Sequence, residues 1–248
     1  MGIFDLFKKK EVVYEELDLS WMQVDMHSHL IPGIDDGSKT MEESLGLIKR
    51  LSDFGLRKII TTPHIMSEYY RNTPEIINMG LADLRNAIKK EGIEIEVAAA
   101  AEYYLDEIFL EKVKNGEELL TFGPNYILVE TGFISKPQML LETFFQLEMA
   151  GYKPIFAHPE RYQYLIPDKK LLEDLVDRQI YFQINLLSLT GFYSKQVKDF
   201  AEMLLERGLV KFFGTDCHNP RYLDMLETLP RSKSYERIKE LEILNTGL

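Results

Sequence analysis

The chain has 248 residues and a net charge of −11; hydrophobic residues make up 45% of it and charged residues 28%. This length suits a single β/α barrel, and the negative charge disfavours binding to nucleic-acid phosphates because no basic patch offsets it. The lone cysteine, Cys217, excludes an intrachain disulfide and a cysteine-rich zinc site, and it fits a reducing cytoplasm. No apolar run approaches the roughly 20 residues of a membrane-spanning helix.

The first ten residues combine a short apolar face with three consecutive lysines. They could form an interfacial anchor or a packed or frayed extension. Asp5 interrupts a stretch that is already too short for a secretory signal. We expect residues 1–22 to be an N-terminal extension and residues 23–248 to form one β/α barrel domain.

Seven apolar stretches rich in β-branched and aromatic residues predict strands. In chain order they are Gln23–Met26, Lys58–Thr61, Glu94–Ala99, Tyr126–Val129, Pro154–Phe156, Tyr181–Ile184 and Val210–Phe213. Helical patterns follow them at Met41–Phe54, Pro74–Lys90, Asp106–Lys114, Pro137–Ala150, Lys169–Arg178, Ser194–Arg207 and Ser234–Ile243. Such alternation predicts a parallel sheet with helical crossovers, here a TIM-like (β/α)7 barrel in a single domain. An open doubly wound sheet is the alternative.

Two helices carry explicit start signals. Thr40 and Glu43 form the pattern of a capping box before the first helix, and Gly55 is a plausible stop. Thr73 precedes Pro74 in the way that a capping residue precedes a first-turn proline.

Every histidine of the chain lies just after a predicted strand: His27, His29, His64, His158 and His218. A single histidine is more often a surface or satisfied core residue, but the ends of parallel barrel strands converge on one mouth, where active sites lie. Alternate residues of an extended strand point the same way. His27 and His29 can therefore reach one cation, with Asp25 behind them; a pH-sensing or structural histidine pair is the alternative.

Carboxylates follow the same pattern. Glu102, Glu130 and Asp216 each close an apolar strand, although an acidic residue in this position is often only a helix cap. Asp35 and Asp36 lie on the loop after the first strand, where one could be a ligand and the other a turn residue. Imidazoles and carboxylates without thiolates suit zinc, manganese or iron. Roughly nine ligands at three to four per ion leave room for two or three ions.

Such a cluster suits phosphomonoester hydrolysis. Paired cations neutralise the dianion and acidify a water to hydroxide for in-line attack on phosphorus. Arg161 could bind two phosphate oxygens through its forked guanidinium, or it could form a surface salt bridge.

A cysteine-based phosphatase needs an arginine six positions after its nucleophile, but Leu223 stands six positions after Cys217. We therefore interpret Cys217 as structural.

Four motifs together resemble the polymerase and histidinol phosphatase (PHP) superfamily: Asp25-Met-His-Ser-His29, Thr62-Pro-His64, Phe156-Ala-His-Pro-Glu-Arg161 and Gly214-Thr-Asp-Cys-His218. Three more resemble its subgroup of bacterial capsule- and exopolysaccharide-associated tyrosine-protein phosphatases: Ile34-Asp-Asp-Gly-Ser38, Ala101-Glu-Tyr-Tyr104 and His158-Pro-Glu-Arg-Tyr162. The resemblance spans about Val24 to Arg221, and residues 1–22 have no counterpart in the shorter members.

The resemblance implies a distorted, roughly seven-stranded barrel and a trinuclear site, usually of manganese. The implied ligands are His27, His29, Glu102 and Asp216 for the first ion, the bridging Glu102 with Glu130 and His158 for the second, and Asp36, His64 and His218 for the third. Arg161 matches the arginine expected to grip the phosphate, and Arg221 is a candidate for a second.

The resemblance further implies a cytoplasmic enzyme that dephosphorylates a tyrosine-phosphorylated protein, a bacterial tyrosine kinase of polysaccharide export. We expect no nucleic-acid partner and no transmembrane segment. Self-association into a homo-oligomer is compatible with the sequence. Three alternatives remain from the residues alone. They are a small-molecule phosphatase acting on a substrate such as histidinol phosphate, a nuclease, and a non-enzymatic scaffold with structural metals.

Overall fold

A computed structural model of the chain describes residues 14–248. The predicted anchor or packed extension at residues 1–10 lies outside the described residues. Among residues 14–248, no helix is both long enough and apolar enough to cross a membrane.

All seven predicted strands form, with ends shifted by at most two residues. Two further strands of two and three residues appear where predicted ligands lie. The strands are β1 Val24–Asp25, β2 Lys58–Thr61, β3 His64–Ile65, β4 Glu96–Ala99, β5 Glu102–Tyr104, β6 Tyr126–Glu130, β7 Lys153–Ala157, β8 Tyr181–Asn185 and β9 Val210–Gly214. Each new strand continues its predecessor after a two-residue break, so β2 leads into β3 and β4 into β5.

The seven predicted helices are also confirmed, and an eighth, α7, was not predicted. The helices are α1 Met41–Asp53, α2 Pro74–Glu91, α3 Glu107–Lys114, α4 Leu140–Met149, α5 Lys169–Asp177, α6 Lys195–Glu206, α7 Pro220–Leu226 and α8 Tyr235–Lys239. The final helix is shorter than expected. The side chain of Asn219 caps α7 by accepting from the backbone N–H of Arg221.

The predicted caps form with one change. Thr40 accepts a hydrogen bond from the N–H of Glu43, and Thr73 accepts one from the N–H of Ile76. The carboxylate of Glu43 reaches back to the N–H of Lys39 at 2.8 Å and not to that of Thr40. The capping box is therefore half formed, and its second hydrogen bond lies one residue earlier than the pattern predicts.

Every pairing between the named strands is parallel. One sheet has the order β1-β2-β4 and the other the order β3-β5-β6-β7-β8-β9. The order follows the chain and never reverses, which argues against the doubly wound alternative, because that fold has a reversal at its switch point. The chain is thus a mixed α/β domain in which the carboxyl ends of the strands face one edge.

The segment just before β1 belongs to the core. Leu17, Leu19 and Met22 are buried in the main hydrophobic cluster. The backbone N–H of Asp18 donates to the hydroxyl of Tyr235, and that hydroxyl donates back to the carbonyl of Asp18. The predicted domain boundary after residue 22 remains a prediction, but residues 17–22 pack as part of the domain.

Candidate metal and phosphate site

The structure brings the nine predicted ligands to one place, at the carboxyl ends of the strands. The five histidines are buried, as are Glu102, Glu130 and Asp216, whereas Asp36 is exposed. Their donor atoms form four groups within 4.8 Å: His29, Asp36, His64 and His218; His27, His29 and Asp216; His27, Glu102 and His158; and His64, Glu102 and Glu130. Because His27, His29, His64 and Glu102 each belong to two groups, the groups form one continuous cluster.

Glu102 lies at the centre of this cluster. Imidazole nitrogens of His27, His64 and His158 lie 3.2, 3.2 and 3.1 Å from its carboxylate oxygens. The Nε2 atom of His29 lies 3.4 Å away. Both Glu102 oxygens are buried, yet neither has a hydrogen-bond partner of acceptable geometry among the described residues. An ionised acceptor buried without a donor is costly, so this carboxylate fits the coordination of cations.

The arrangement departs from the implied ligand sets at one carboxylate. Glu130 lies 2.9 Å from His64 Nδ1 but 3.9 Å from His158 Nε2. The predicted partner of Glu130 was His158, so in this structure Glu130 lies closer to a histidine of the third set. Glu102 is within 3.2 Å of both of these histidines and links the two sets.

The structure distinguishes the roles of Asp35 and Asp36. Asp35 Oδ2 lies 2.8 Å from His29 Nδ1 and accepts from the N–H of His64, which places Asp35 behind the cluster. Asp36 Oδ1 lies 3.4 Å from His64 Nε2 and 3.6 Å from the Nε2 atom of His218. Asp35 is therefore the turn and support residue, and Asp36 is the one that faces the candidate cation position.

Gly37 makes this loop possible by its lack of a side chain. A Cβ atom at this position would lie 2.2 Å from the carbonyl oxygen of His29 and 2.4 Å from its Cβ atom. The loop therefore presses directly against the strand end that carries His29. This close approach requires glycine.

Two predicted ligands have strained backbones. His158 and Asp216 have positive φ angles of 31° and 51°, values that side-chain-bearing residues rarely adopt. His158 follows β7 and Asp216 follows β9, so the strain occurs where the strands turn toward the cluster. Residues held in such conformations concentrate at functional sites.

Asp25 lies behind His27, as predicted. Its Oδ1 atom accepts from the N–H of Thr215 at 2.9 Å, and the N–H of His27 lies 3.4 Å from the same atom. Burial raises the pKa of Asp25 to about 6, although the hydrogen bonds from Thr215 oppose the shift. Asp25 therefore fixes the two strand ends relative to each other.

Opposite charges control the protonation of the cluster. Burial alone would raise the pKa of Glu102 and Asp216, but the neighbouring histidines, His27 foremost, hold both values well below the usual range. Burial alone would lower the pKa of His29, but the charge of Asp35 and hydrogen bonds to its neighbours raise it well above the ordinary value. Without cations, the pKa shifts thus favour ionised Glu102 and Asp216 carboxylates beside a protonated His29 imidazole.

Arg161 lies at the edge of the cluster on a short 3-10 turn, Pro159–Arg161. Its guanidinium is stacked between the rings of Phe133 and Tyr193, with 4.4 Å to each centroid. It also donates to Asp216 Oδ2 at 3.0 Å. The two rings and the carboxylate fix the orientation of the guanidinium fork.

Arg221 is exposed on α7, and its guanidinium lies 5.6 Å from the ring centroid of Phe192. It does not line the pocket above the cluster, whereas the next residue, Tyr222, does. A phosphate-binding role for Arg221 remains a prediction.

The pocket above the cluster has a volume of about 330 Å³, within the range of small-ligand sites. Besides predicted ligands and Arg161, its walls contain five apolar or aromatic side chains that were not predicted as site residues: Met66, Tyr70, Tyr104, Phe133 and Tyr222.

Two amide residues of β8 beside the cluster, Gln183 and Asn185, were also not predicted from the sequence. Their signal was present, since they are polar side chains at alternate positions of an otherwise apolar strand.

Metal-free protein is expected to lose stability as the pH rises from about 6.5 to about 10. Burial alone would lower the pKa of His64, but the carboxylates of Glu130, Glu102 and Asp36 raise it to about 10. A histidine with a raised folded pKa contributes stability that is complete below its unfolded pKa and is lost as the pH passes the folded value. Urea unfolding of chelated protein across this window measures the loss.

His64→Asn provides the comparison for this experiment, because asparagine does not titrate. The chelated variant should lose less stability than the chelated parent over the same interval. An identical pH dependence in the two proteins would contradict the assignment to His64.

Replacing Cys217 with alanine is expected to leave phosphate release nearly unchanged. The thiol is fully buried in the main hydrophobic cluster, and burial raises its pKa well above the usual value. It is therefore neither ionised nor accessible to iodoacetamide. Inhibition of the parent protein by iodoacetamide, or an inactive but folded Cys217→Ala variant, would contradict a purely structural role.

Comparison with known proteins identifies the family. The family model for capsular polysaccharide synthesis, CpsB/CapC, matches residues 23–244. The tyrosine-protein phosphatase YwqE of Bacillus subtilis is 31% identical over 196 residues, which cover 79% of this chain and 77% of YwqE. The tyrosine-protein phosphatase CpsB of Streptococcus pneumoniae is 28% identical over 232 residues, which cover 90% of this chain and 96% of CpsB.

A solved structure agrees with this result. A chain from the crystal structures of YwqE and CpsB, described as unique metal-dependent tyrosine phosphatases, superposes with a TM-score of 0.74 at 30% identity. The superposition covers 90% of this chain and 94% of that chain. The family model, the sequence relatives and the shared architecture agree: this chain belongs to the CpsB/CapC family of capsular polysaccharide synthesis proteins.

Proposed function

We propose that the chain is a metal-dependent phosphatase that hydrolyses phosphotyrosine in proteins. The observation that carries the proposal is the buried cluster around Glu102, whose unsatisfied oxygens face four imidazoles directly beside the stacked Arg161. The naming of its relatives as tyrosine-protein phosphatases supports the same activity.

The nine predicted ligands are proposed to hold two or three divalent ions, with Glu102 shared between them. The donor set consists of imidazole nitrogens and carboxylate oxygens, which suits manganese and is also compatible with zinc or iron. Bound ions would neutralise the phosphate and acidify the attacking water. Asp35 and Asp25 orient the surrounding strands and histidines from behind the cluster.

Arg161 is proposed to bind the phosphate group. Its guanidinium has five N–H donors, and its stacking between Phe133 and Tyr193 leaves it little freedom to move. Aromatic side chains at the pocket wall, among them Tyr70 and Phe133, offer surfaces against which a tyrosyl ring can pack. A phenolate with a pKa near 10 is also a better leaving group than an alkoxide.

We propose that the two sheets close into a distorted seven-stranded barrel. An isolated parallel bridge between Ser28 and Cys217 supports closure. Beside it, the backbone N–H of His29 donates to the carbonyl of Cys217 at 2.9 Å, and the backbone N–H of Asp216 donates to the carbonyl of His27 at 2.8 Å. These contacts connect the segment after β1 with the segment after β9.

The physiological substrate is proposed to be a bacterial tyrosine kinase of capsule or exopolysaccharide synthesis, and the compartment the cytoplasm. Membership of a capsular polysaccharide synthesis family supports the pathway. Residues 23–248 are proposed to form the catalytic domain, preceded by an N-terminal extension, residues 1–22, of which Leu17, Leu19 and Met22 pack into the core of the domain.

Elemental analysis combined with a phosphatase assay tests the proposal. Purified protein should contain divalent metal and release phosphate from a phosphotyrosine peptide faster than from a phosphoserine peptide or from histidinol phosphate. Chelation should remove the activity, and manganese, zinc and iron should be compared in restoring it. Faster turnover of histidinol phosphate would favour a small-molecule phosphatase instead, and full activity after complete removal of metal would refute the proposal.

A further inference from the structure

Two amide side chains of β8 lie directly behind the cluster. Gln183 and Asn185 are both fully buried. Gln183 Oε1 lies 2.9 Å from His27 Nδ1, and Gln183 Nε2 donates to Asn185 Oδ1 at 2.9 Å. Asn185 Nδ2 donates to Asp216 Oδ2 at 2.7 Å. A chain of three hydrogen bonds therefore joins one candidate ligand, Asp216, to another, His27.

The ionised carboxylate of Asp216, at one end of this chain, determines the direction of all three hydrogen bonds. An ionised Asp216 can only accept, so Asn185 must present its NH2 group to it. The oxygen of Asn185 then faces Gln183 and accepts from its NH2 group, which leaves the oxygen of Gln183 facing His27. That oxygen can only accept, so the proton of a neutral His27 imidazole must lie on Nδ1.

A second contact agrees with this assignment. The backbone N–H of His158 donates to the same Oε1 atom of Gln183 at 3.3 Å. Because a backbone N–H is always a donor, the atom that it contacts must be the oxygen of the amide. Two independent neighbours thus require the same orientation of Gln183.

We propose that Gln183 and Asn185 are positioning residues that keep His27 protonated on Nδ1, so that its Nε2 lone pair faces the candidate cation site. Asn185 also occupies Asp216 Oδ2 together with Arg161. This leaves Asp216 Oδ1, which lies 3.3 Å from His27 Nε2, directed into the cluster. The inference rests on the metal binding in the proposed function and assigns a residue pair that controls it.

Strand β9 packs closely against the amide chain. A Cβ atom at Gly214 of β9 would lie 2.6 Å from His27 Cβ and 2.9 Å from Gln183 Nε2. The strands can approach closely enough to form these hydrogen bonds only because residue 214 is glycine.

Nuclear magnetic resonance of zinc-loaded protein with 15N-labelled histidines tests the proposal, because zinc is diamagnetic. His27 should show a slowly exchanging proton on Nδ1 and a metal-shifted Nε2, and His27→Asn identifies its signals. In Gln183→Met, the chemical shift of the His27 Nδ1 proton should move away from the value typical of a hydrogen-bonded imidazole N–H. Zinc affinity, measured by competition with a chelator, should fall about 10–100-fold.

Gln183→Glu distinguishes positioning from simple packing. A carboxylate still accepts from His27 Nδ1, as Asp35 does from His29 in the same protein, so this variant should retain zinc better than Gln183→Met. If Gln183 only fills space, the isosteric methionine should be tolerated better than a buried charge. Gln196→Met, at an exposed position of α6, is the matched control and should match the parent in both measurements.

Three results would overturn the proposal: a proton on Nε2 of His27 in the parent protein, an unchanged Nδ1 signal in Gln183→Met, or equal zinc loss in both variants. The signal in the parent decides the question even if the variants do not fold. Because these readouts need no substrate, they are independent of whether the chain hydrolyses phosphotyrosine.

Discussion

Glu102→Gln is expected to reduce phosphate release by about 10³-fold or more, since metal ions supply several kcal/mol of transition-state stabilisation and each 1.36 kcal/mol is a factor of ten. Both carboxylate oxygens are buried without hydrogen-bond donors and lie within 3.4 Å of four imidazoles. Glutamine has nearly the same shape, but its NH2 group cannot bind a cation, and its oxygen carries no full charge.

Elemental analysis should show fewer divalent ions per chain in Glu102→Gln than in the parent, while the circular dichroism spectrum should be preserved. Glu111→Gln is the matched control, because Glu111 is exposed on α3 and belongs neither to the cluster nor to the pocket wall. A variant that keeps the parent's metal content and more than a tenth of its activity would show that Glu102 does not bridge the ions.

Much of this site follows from the sequence because of the strand architecture. Parallel strands bring residues from distant parts of the chain to one edge. Histidines and carboxylates that each follow a strand are therefore predicted to cluster at that edge. The structure brings these side chains together, from His27 just after the first strand to His218 after the last.

The sequence could not assign roles to side chains that differ only in their direction. Asp35 and Asp36 are chemically identical neighbours. Only the turn at Gly37, where the loop touches the backbone of His29, directs Asp35 behind that imidazole and leaves Asp36 at the front. A one-dimensional pattern does not contain this information.

Short elements and neutral amides were missed for related reasons. Strands β3 and β5 are two and three residues long, too short for any periodicity, and they form because neighbouring strands supply hydrogen-bond partners. Gln183 and Asn185 do not titrate and rarely bind metal, so a search for ligands passes over them. Their importance becomes visible only when His27 and Asp216 are placed beside them.

Arg161→Lys is expected to lower kcat/KM for a phosphotyrosine peptide by about 10²–10³-fold, the usual effect of removing one preorganised charge-stabilising donor. Lysine keeps the positive charge but lacks the planar fork. The stacking of the guanidinium between Phe133 and Tyr193 depends on that planar shape, and it holds the guanidinium where it donates to Asp216. The loss should therefore appear although the net charge is unchanged.

The metal content of Arg161→Lys distinguishes phosphate binding by Arg161 from a role in orienting the metal ligand Asp216. If Arg161 mainly binds phosphate, Arg161→Lys should retain the parent's metal ions, and inorganic phosphate should become a weaker inhibitor. If Arg161 mainly orients Asp216, the variant should lose metal instead. Arg178→Lys, at an exposed position after α5, controls for the substitution itself, and Arg221→Lys tests the second predicted arginine separately.

We expect Arg161→Lys to retain its metal, because Arg161 and Asn185 both donate to Asp216 Oδ2. Loss of the arginine still leaves that oxygen the donor from Asn185, which should be enough to keep Oδ1 directed at the ions.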